Sequence, residues 1–282
     1  MDSAYRIQSP NQNASMPLDE EQFRELKRAR KRLSSAYAIR HKFRLVKTNY
    51  GLIAESLQAL GLAFLDDLSA EQLKTVKSRV NASVNNYILS GRTFTAQLKR
   101  HVQACLPQDR VEVNRLTRRM EIEYQRSFAY RFIDSLYDYV SYYGISVHSV
   151  EMAEKQVSAN KTARRTYSIK AYIERDYLGG PTDFRASVLK EMPARVELIE
   201  LLDSFMDSLS RIYDLACRIT DESTAQSHVL LREFINVFEG IHGPDIENLF
   251  VVHSVGESRD KIYDTFPISM YADQINLEEE YR

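Results

Sequence analysis

The sequence has few of the residues that define several large classes of protein. Its 282 residues include only two cysteines, Cys105 and Cys217, which lie far apart in the chain. This excludes a disulfide framework and a cysteine-based zinc site, and it suits a reducing compartment. No apolar run approaches the roughly 18 residues of a membrane-spanning helix, and the N-terminus lacks the basic and apolar regions of a secretory signal. We therefore expect a cytoplasmic protein with no membrane partner.

Turn-forming residues are also scarce, with nine glycines and seven prolines. Their scarcity favours long helices over a turn-rich β protein. Hydrophobic residues make up 44% and charged residues 27%, which is typical of a globular protein. The formal net charge of −1 argues against indiscriminate nucleic-acid binding by the whole chain, although it is compatible with a local basic patch.

The usual catalytic and metal-binding motifs are missing. The sequence has no P-loop, no dinucleotide-binding glycine motif and no Gly-x-Ser-x-Gly motif. None of the six histidines stands in a His-Glu-x-x-His pair, and neither cysteine has a metal-ligating neighbour at a suitable spacing. His101 falls on an apolar stripe, which favours a hydrogen-bonded core histidine over a ligand. We therefore expect no metal ion and no cofactor.

Apolar residues recur every three or four positions over long stretches, which indicates packed helices. Such stripes predict helices over residues 39–64, 73–105 and 115–144, and a capping box at residues 69–72 opens the second. Two more helices are expected near residues 196–216 and 222–238. Short connections favour antiparallel neighbours in a bundle.

Residues after Gly144 alternate between apolar and polar in two segments, which predicts an inserted β-hairpin. The fold class is mainly α, with long antiparallel helices in a bundle, this hairpin and a mixed C-terminal segment. The predicted segments are a flexible N-terminus (1–18), a helical bundle (19–144), the β-hairpin (145–181), further helices packing on the bundle (182–240) and a C-terminal segment (241–282) with an acidic tail at Glu278, Glu279 and Glu280.

The third predicted helix ends in a cluster of tyrosines, with the sequence Leu-Tyr-Asp-Tyr-Val-Ser-Tyr-Tyr-Gly. Tyr139, Tyr142 and Tyr143 continue its apolar stripes, so we expect core side chains with hydroxyls at the rim. Tyr137 and Asp138 fall off those stripes and are expected to face outward.

Three charged residues of the same helix are spaced for ion pairing. Arg131 precedes Asp134 by three residues and Asp138 by seven, so they are expected to form an ion network on the helix surface.

A helical bundle whose third helix has this ending, followed by Ile-Ser-Val, resembles the HEPN superfamily over about residues 69–150. Members are often metal-independent ribonucleases of toxin, antiviral and CRISPR-associated systems, in which an arginine and a histidine act on the RNA phosphate, commonly across a dimer. The resemblance places the arginine at Tyr137, the next polar residue at Asp138 and the histidine at Tyr142. No arginine lies five, six or seven residues before any histidine. The resemblance therefore implies a degenerate, non-catalytic member of the superfamily that forms a dimer.

A block of basic residues precedes the first apolar stripe. Residues 24–47 carry ten lysines or arginines and one acid, a net charge of +9. This block predicts salt-dependent contact with phosphates rather than bases. The alternatives are a solvated helix face, or docking on an acidic partner or on the chain's own tail. The candidate nucleic-acid or partner-binding residues are Arg24, Lys27, Arg28, Arg30, Lys31, Arg32, Arg40, Lys42, Arg44 and Lys47, extended by Arg115, Arg118 and Arg119.

Three functions from different classes remain open. The first is a non-catalytic HEPN-like binding or regulatory component of a bacterial defence or toxin–antitoxin system, with RNA or a protein as its partner. The second is a metal-independent endoribonuclease using Tyr137, Asp138, Tyr142 and His148, although tyrosine, with a pKa of about 10, is a poor general base at neutral pH. The third is a helical scaffold or oligomerisation protein with no nucleic-acid role.

Overall fold

The computed structural model describes residues 3–9, 14–66, 69–159, 162–178, 184–244, 248–256 and 261–269. Within these ranges the protein is mainly α-helical, as predicted, with six α-helices and two small antiparallel sheets. No helix among them is long and apolar enough to cross a membrane. In chain order the elements are β1 (Ser3–Ser9), β2 (Ala14–Leu18), α1 (Glu20–Leu65), α2 (Ala70–Cys105), α3 (Arg110–Arg126), α4 (Phe128–Tyr143), β3 (Ser149–Ala159), β4 (Thr162–Glu174), α5 (Ala186–Glu191), β5 (Arg195–Glu197), α6 (Leu198–His242), β6 (Phe250–Val255) and β7 (Lys261–Pro267).

The chain divides into two compact units, each built from segments that are distant in sequence. Unit 1 comprises Met1–Ala38, Arg100–Val113 and Cys217–Arg282, and unit 2 comprises Ile39–Lys99 and Asn114–Ala216. Helices α1, α2, α3 and α6 each contribute residues to both units. The predicted segments, in contrast, follow one another along the chain.

Unit 1 contains a four-stranded sheet with the strand order β2-β1-β6-β7. Ile7 of β1 and Val251 of β6 lie opposite each other and are fully buried, together with Leu26 of α1 and Phe238 of α6. Burial of these apolar side chains is the main stabilising contribution to this unit.

The prediction of a flexible N-terminus over residues 1–18 is wrong where the chain forms strands β1 and β2. Strand β1 pairs with β6 along the register from Ser3–Val255 to Gln8–Phe250, so its hydrogen-bond partner comes from the opposite end of the sequence. A seven-residue strand with few apolar side chains carries little local signal. Strand β2 is an edge strand, which is where Pro17 is tolerated. The predicted acidic tail lies outside the described residues.

The single helix predicted over residues 115–144 is wrong, because the chain breaks at Ser127 in unit 2. Ser127 is extended, with φ −99° and ψ 112°, and its side chain accepts a hydrogen bond from the Tyr130 N–H. It therefore caps α4. The apolar period continues across Ser127, and Tyr130 occupies the third position, where a capping box has an acid or amide. Neither the hydropathy pattern nor a capping box therefore predicts a break at Ser127.

Unit 2 contains the predicted hairpin, formed by β3 and β4 in an antiparallel register from Ser149–Tyr172 to Ala159–Thr162. A third short strand, β5, pairs with the end of β4 from Tyr172–Glu197 to Glu174–Arg195. The predicted turn residues Asn160 and Lys161, and the predicted hairpin end at residues 179–181, lie outside the described residues.

The two helices predicted after residue 196 are one continuous helix, α6. Residues 217–221, which separate the two predicted helices, belong to this helix. In the structure, Thr224 Oγ1 and Ser227 Oγ each donate to the carbonyl four residues earlier, at 2.7 Å in both cases. Such bonds satisfy hydroxyl groups within a helix, so polar residues do not have to end it.

Candidate functional site

Among the described residues, a cleft in unit 1 is lined by four cationic side chains and no acidic one. Its volume is about 710 Å³. The lining residues are Arg28, Lys31 and Arg32 of α1, Arg100, Gln103 and Ala104 of α2, and Pro107 and Gln108 of the following connection.

Helical spacing brings these cations to the cleft. Arg28, Lys31 and Arg32 are three and four residues apart, so they share one side of α1. The buried residues Leu26, Ala29 and Leu33 anchor another side of the same helix in the core. This division of α1 leaves the basic side available for a ligand.

A contact between the helices fixes this part of unit 1. Cys105, at the end of α2, is buried, and its Sγ lies 3.5 Å from the carbonyl oxygen of Arg32. This hydrogen bond joins the end of α2 to α1, and Arg100 of α2 lines the same cleft as the cations of α1.

The cleft retains its positive charge because its cations have no carboxylate partner in the described part of the chain. The Nε atom of Arg32 is buried and has no hydrogen-bond partner there. The preceding turn of α1 differs. Arg24 pairs with Glu20, and Lys27 Nζ lies 2.6 Å from Asp264 Oδ2. Since like charges add where a site is partly enclosed, the cleft is a region of concentrated positive potential.

The predicted basic set is therefore divided by the structure. Arg28, Lys31 and Arg32 line the cleft, whereas Arg119 pairs with the buried Glu123 at 2.9 Å in unit 2. The members that do not line this cleft are Arg24, Lys27, Arg30, Arg40, Lys42, Arg44, Lys47, Arg115, Arg118 and Arg119. Sequence reasoning missed Arg100, because it belongs to a different helix and only the tertiary fold brings it to the cleft.

The buried Glu123 is held by a second arginine. Arg211 of α6 donates to both of its carboxylate oxygens, at 2.9 to 3.2 Å. Burial alone would raise the pKa of Glu123, but the hydrogen bonds and charge of Arg211, together with the charge of Arg119 and a hydrogen bond from Ser208, outweigh burial and lower the pKa. Glu123 therefore stays ionised at neutral pH and has a structural role in unit 2.

The end of α4 is tied to α2 by two asparagines in unit 2. Gly144 adopts the left-handed conformation at φ 70°, which ends the helix. The Nδ2 groups of Asn81 and Asn85 both donate to the Gly144 carbonyl, at 2.9 and 2.8 Å. Asn81 Oδ1 accepts from the N–H groups of Ser146 and Val147. These bonds fix the direction in which the chain leaves the helix.

The tyrosine cluster continues as a series of ring contacts beyond this cap. Tyr142 contacts Tyr143, and Tyr143 contacts Tyr139, both with ring centroids 4.7 Å apart. Tyr139 then contacts His148 at 6.0 Å, and His148 contacts Tyr177 at 5.0 Å. The series therefore joins helix α4 to the residues just before β3 and just after β4.

The expected burial of these tyrosines is only partly correct. Tyr139 is buried at 6% exposure, but Tyr142 is 74% exposed and Tyr143 is 43% exposed. The apolar stripe continues past the point at which α4 leaves the core, so the pattern overestimated the buried face. Tyr137 and Asp138 are half-buried rather than fully outward, and the Arg92 guanidinium lies 5.5 Å from the Tyr137 ring centre.

His148 is engaged by neighbours on both sides of its ring. Its Nδ1 accepts the Glu174 backbone N–H at 3.0 Å, and its Nε2 lies 3.5 Å from the Tyr139 hydroxyl. Burial lowers the pKa of His148, so the imidazole is largely neutral at pH 7. Within the described part of the chain, no hydrogen bond or ring contact joins His148 directly to the other three candidate catalytic residues, Tyr137, Asp138 and Tyr142.

The predicted ion network on the surface of α4 is wrong. Asp134 is almost fully buried and lies between Arg92 at 2.5 Å and Arg185 at 2.6 Å, while Arg131 pairs with Glu191 at 2.5 Å. Partners from other elements replace those on the same helix, because Asp134 points into unit 2 rather than to solvent. Within the described ranges, no group of three or more His, Cys, Asp and Glu side chains is arranged to hold a metal ion.

Comparison of the chain with protein-family models, with curated proteins and with solved structures finds no match.

Proposed function

We propose that this protein is a non-catalytic, HEPN-like helical protein that binds RNA phosphates at the basic cleft of unit 1. It acts as a binding or regulatory component of a bacterial defence or toxin–antitoxin system. Homodimerisation and the bundle arrangement of its long helices belong to the same proposal. The observation that carries RNA binding is the acid-free set of four cations, Arg28, Lys31, Arg32 and Arg100.

Phosphate is the anion that suits these side chains best. Arginine presents a planar fork of N–H donors that matches two phosphate oxygens, and three of the four cations are arginines. Grouped like charges repel one another, and a bound polyanion removes that repulsion while releasing its own counterions. Because none of the cleft's lining residues that the structure describes is aromatic, the contacts are directed to the backbone rather than to bases.

The ribonuclease alternative has less support from the site. Tyrosines occupy both catalytic positions implied by the resemblance, and both ring nitrogens of His148 face groups of its own chain. A general base must be available to the hydroxyl that it activates. The scaffold alternative gives the basic cleft no role.

Charge reversal at the cleft tests the proposal. We expect Lys31→Glu/Arg100→Glu to weaken binding of a short single-stranded RNA by at least about tenfold, because each lost charge-assisted contact is worth about 1.5 kcal/mol or more. The measurement is fluorescence anisotropy of labelled RNA at low salt. The matched control is Lys77→Glu/Arg79→Glu, which makes the same change in charge at exposed positions of α2 in unit 2.

Three results would contradict the proposal. One is absence of RNA binding by the wild type, which the scaffold alternative predicts. The second is an equal loss of binding in the cleft variant and its control. The third is cleavage of the RNA by the wild type that disappears in Tyr142→Phe, which would establish the ribonuclease alternative.

A further inference from the structure

We infer that the basic cleft binds a terminal oligophosphate, the group of linked phosphates carried by a nucleoside triphosphate and by the 5′-triphosphate end of an RNA. This inference rests on the proposed phosphate recognition and specifies the ligand at that same cleft.

The distribution of free charge favours a compact ligand over a long strand. A surface that binds an extended RNA strand requires cations that continue along the protein surface. Toward the start of α1 the free charge stops at the cleft, because Arg24 and Lys27, one turn before Arg28 and Lys31, are already paired with Glu20 and Asp264. The unpaired charge therefore does not continue along the helix in that direction.

The amount of charge matches the same ligand. A strand offers about one negative charge per nucleotide, whereas a terminal triphosphate concentrates about four charges on three adjacent phosphorus atoms. Four cations line the cleft, and they converge from two helices held together where Cys105 contacts Arg32. A volume of about 710 Å³ falls within the range of pockets that enclose small ligands.

Arg32 supplies a separate observation in favour of an oxyanion. Its Nε is buried without an acceptor among the described residues, although its side chain lines the cleft. Buried donors are nearly always satisfied in folded proteins. A rotation of the Arg32 side chain that turns Nε toward the cleft would let a bound phosphate oxygen accept this hydrogen bond.

The lining also specifies how the ligand's charge is neutralised. Sites that bind triphosphates with magnesium use carboxylate or hydroxyl ligands for the ion, and the described residues that line this cleft offer neither. The guanidinium and ammonium groups therefore replace the metal ion, and binding should persist in EDTA. The amides of Gln103 and Gln108 and the apolar surfaces of Ala104 and Pro107 remain for contact with the attached nucleoside.

The test compares one RNA sequence carrying a 5′-triphosphate, a 5′-monophosphate or a 5′-hydroxyl group, bound to the full-length protein in EDTA. We expect the triphosphate form to bind at least about tenfold more tightly than the hydroxyl form. Inorganic tripolyphosphate should displace it. Lys31→Glu/Arg100→Glu should remove the preference, and Lys77→Glu/Arg79→Glu should retain it. Lys31→Gln/Arg100→Gln, which neutralises rather than reverses the charges, guards against misfolding of the reversed variant.

The outcomes separate this inference from the proposed function. Equal binding of the triphosphate and hydroxyl RNAs overturns the inference but leaves RNA binding intact. Binding of ATP and tripolyphosphate without binding of any RNA overturns the RNA function and supports the inference with a free nucleotide as the ligand. Competition by ATP as strong as that by triphosphate RNA also identifies the free nucleotide, whereas weak competition identifies the RNA end. Absence of all binding overturns both proposals.

Discussion

Asn81 shows how much one side chain contributes to the geometry of unit 2. Its amide donates to the Gly144 carbonyl and accepts from the N–H groups of Ser146 and Val147, and Ser146 is fully buried. Asn85 makes one bond, to the same carbonyl. The two residues are thus a matched pair that differs in the number of hydrogen bonds lost on truncation.

We predict that Asn81→Ala lowers the free energy of unfolding by about 2–3 kcal/mol, because it leaves a buried N–H group without an acceptor. Asn85→Ala should cost about 1 kcal/mol, since Asn81 still donates to the Gly144 carbonyl. Urea unfolding followed by circular dichroism measures both values. Equal losses would show that the Ser146 and Val147 contacts contribute little.

At the scale of single residues, sequence reasoning succeeded where chemistry is local and failed where partners are distant. Arg28, Lys31 and Arg32 were identified from the concentration of positive charge in residues 24–47. Arg100 was missed because the fourth cation of the cleft comes from another helix. Asp134 was assigned to a surface network, and its burial between two distant arginines followed only from the tertiary fold.

Two glycines inside the long helices play different roles at the scale of the element. A Cβ added at Gly51 of α1 meets nothing within 4 Å, whereas one at Gly91 of α2 lies 2.8 Å from Cε1 of the Phe205 ring. Phe205 is 2% exposed, so its ring has little room to move. Gly91 therefore permits α2 and α6 to approach closely in unit 2.

We predict opposite effects of alanine at these positions. Gly51→Ala should stabilise the protein by about 0.5–1 kcal/mol, because alanine loses less backbone entropy in a helix. Gly91→Ala should destabilise it by about 1 kcal/mol or more, because overpacking costs about 1–3 kcal/mol and exceeds the helix gain. Thermal and urea unfolding of the two variants measure the difference. A stabilising Gly91→Ala would show that the core around Phe205 adapts freely.

Elements were predicted well where one periodicity persists and poorly at their ends. The stripe over residues 39–64 and the alternation after Gly144 correspond to α1 and to the β3–β4 hairpin. The break at Ser127 was missed because the apolar period continues through it, and α6 was divided because its polar residues satisfy their own hydroxyls. Both the missed break and the divided helix depend on side-chain hydrogen bonds, which a hydropathy pattern cannot predict.

At the scale of the whole molecule, the strands near the two ends of the sequence show which features local sequence patterns cannot predict. Strand β1 pairs with β6 across almost the full length of the sequence, and both bury side chains in the core of unit 1. Closing so long a loop costs entropy that only the complete sheet and its core offset. No window of the sequence contains both strands, so the N-terminus was expected to be flexible.

The cleft that carries the proposed function is likewise a product of the tertiary fold of unit 1. Its cations come from α1 and α2, and the neighbouring cations on α1 are neutralised, one of them by Asp264 of β7. The basic block of the sequence was thus divided into paired and unpaired parts. Only the unpaired part can exchange counterions for a bound phosphate.

The salt dependence of RNA binding tests this central claim most directly. If all four cations contact phosphates of a single strand, the plot of log K against log salt concentration should have a slope of about −3. Removing two of them in Lys31→Glu/Arg100→Glu should reduce the slope by half or more, and Lys77→Glu/Arg79→Glu should leave it unchanged. A wild-type slope near zero, or the same slope in the cleft variant, would contradict phosphate binding at this cleft.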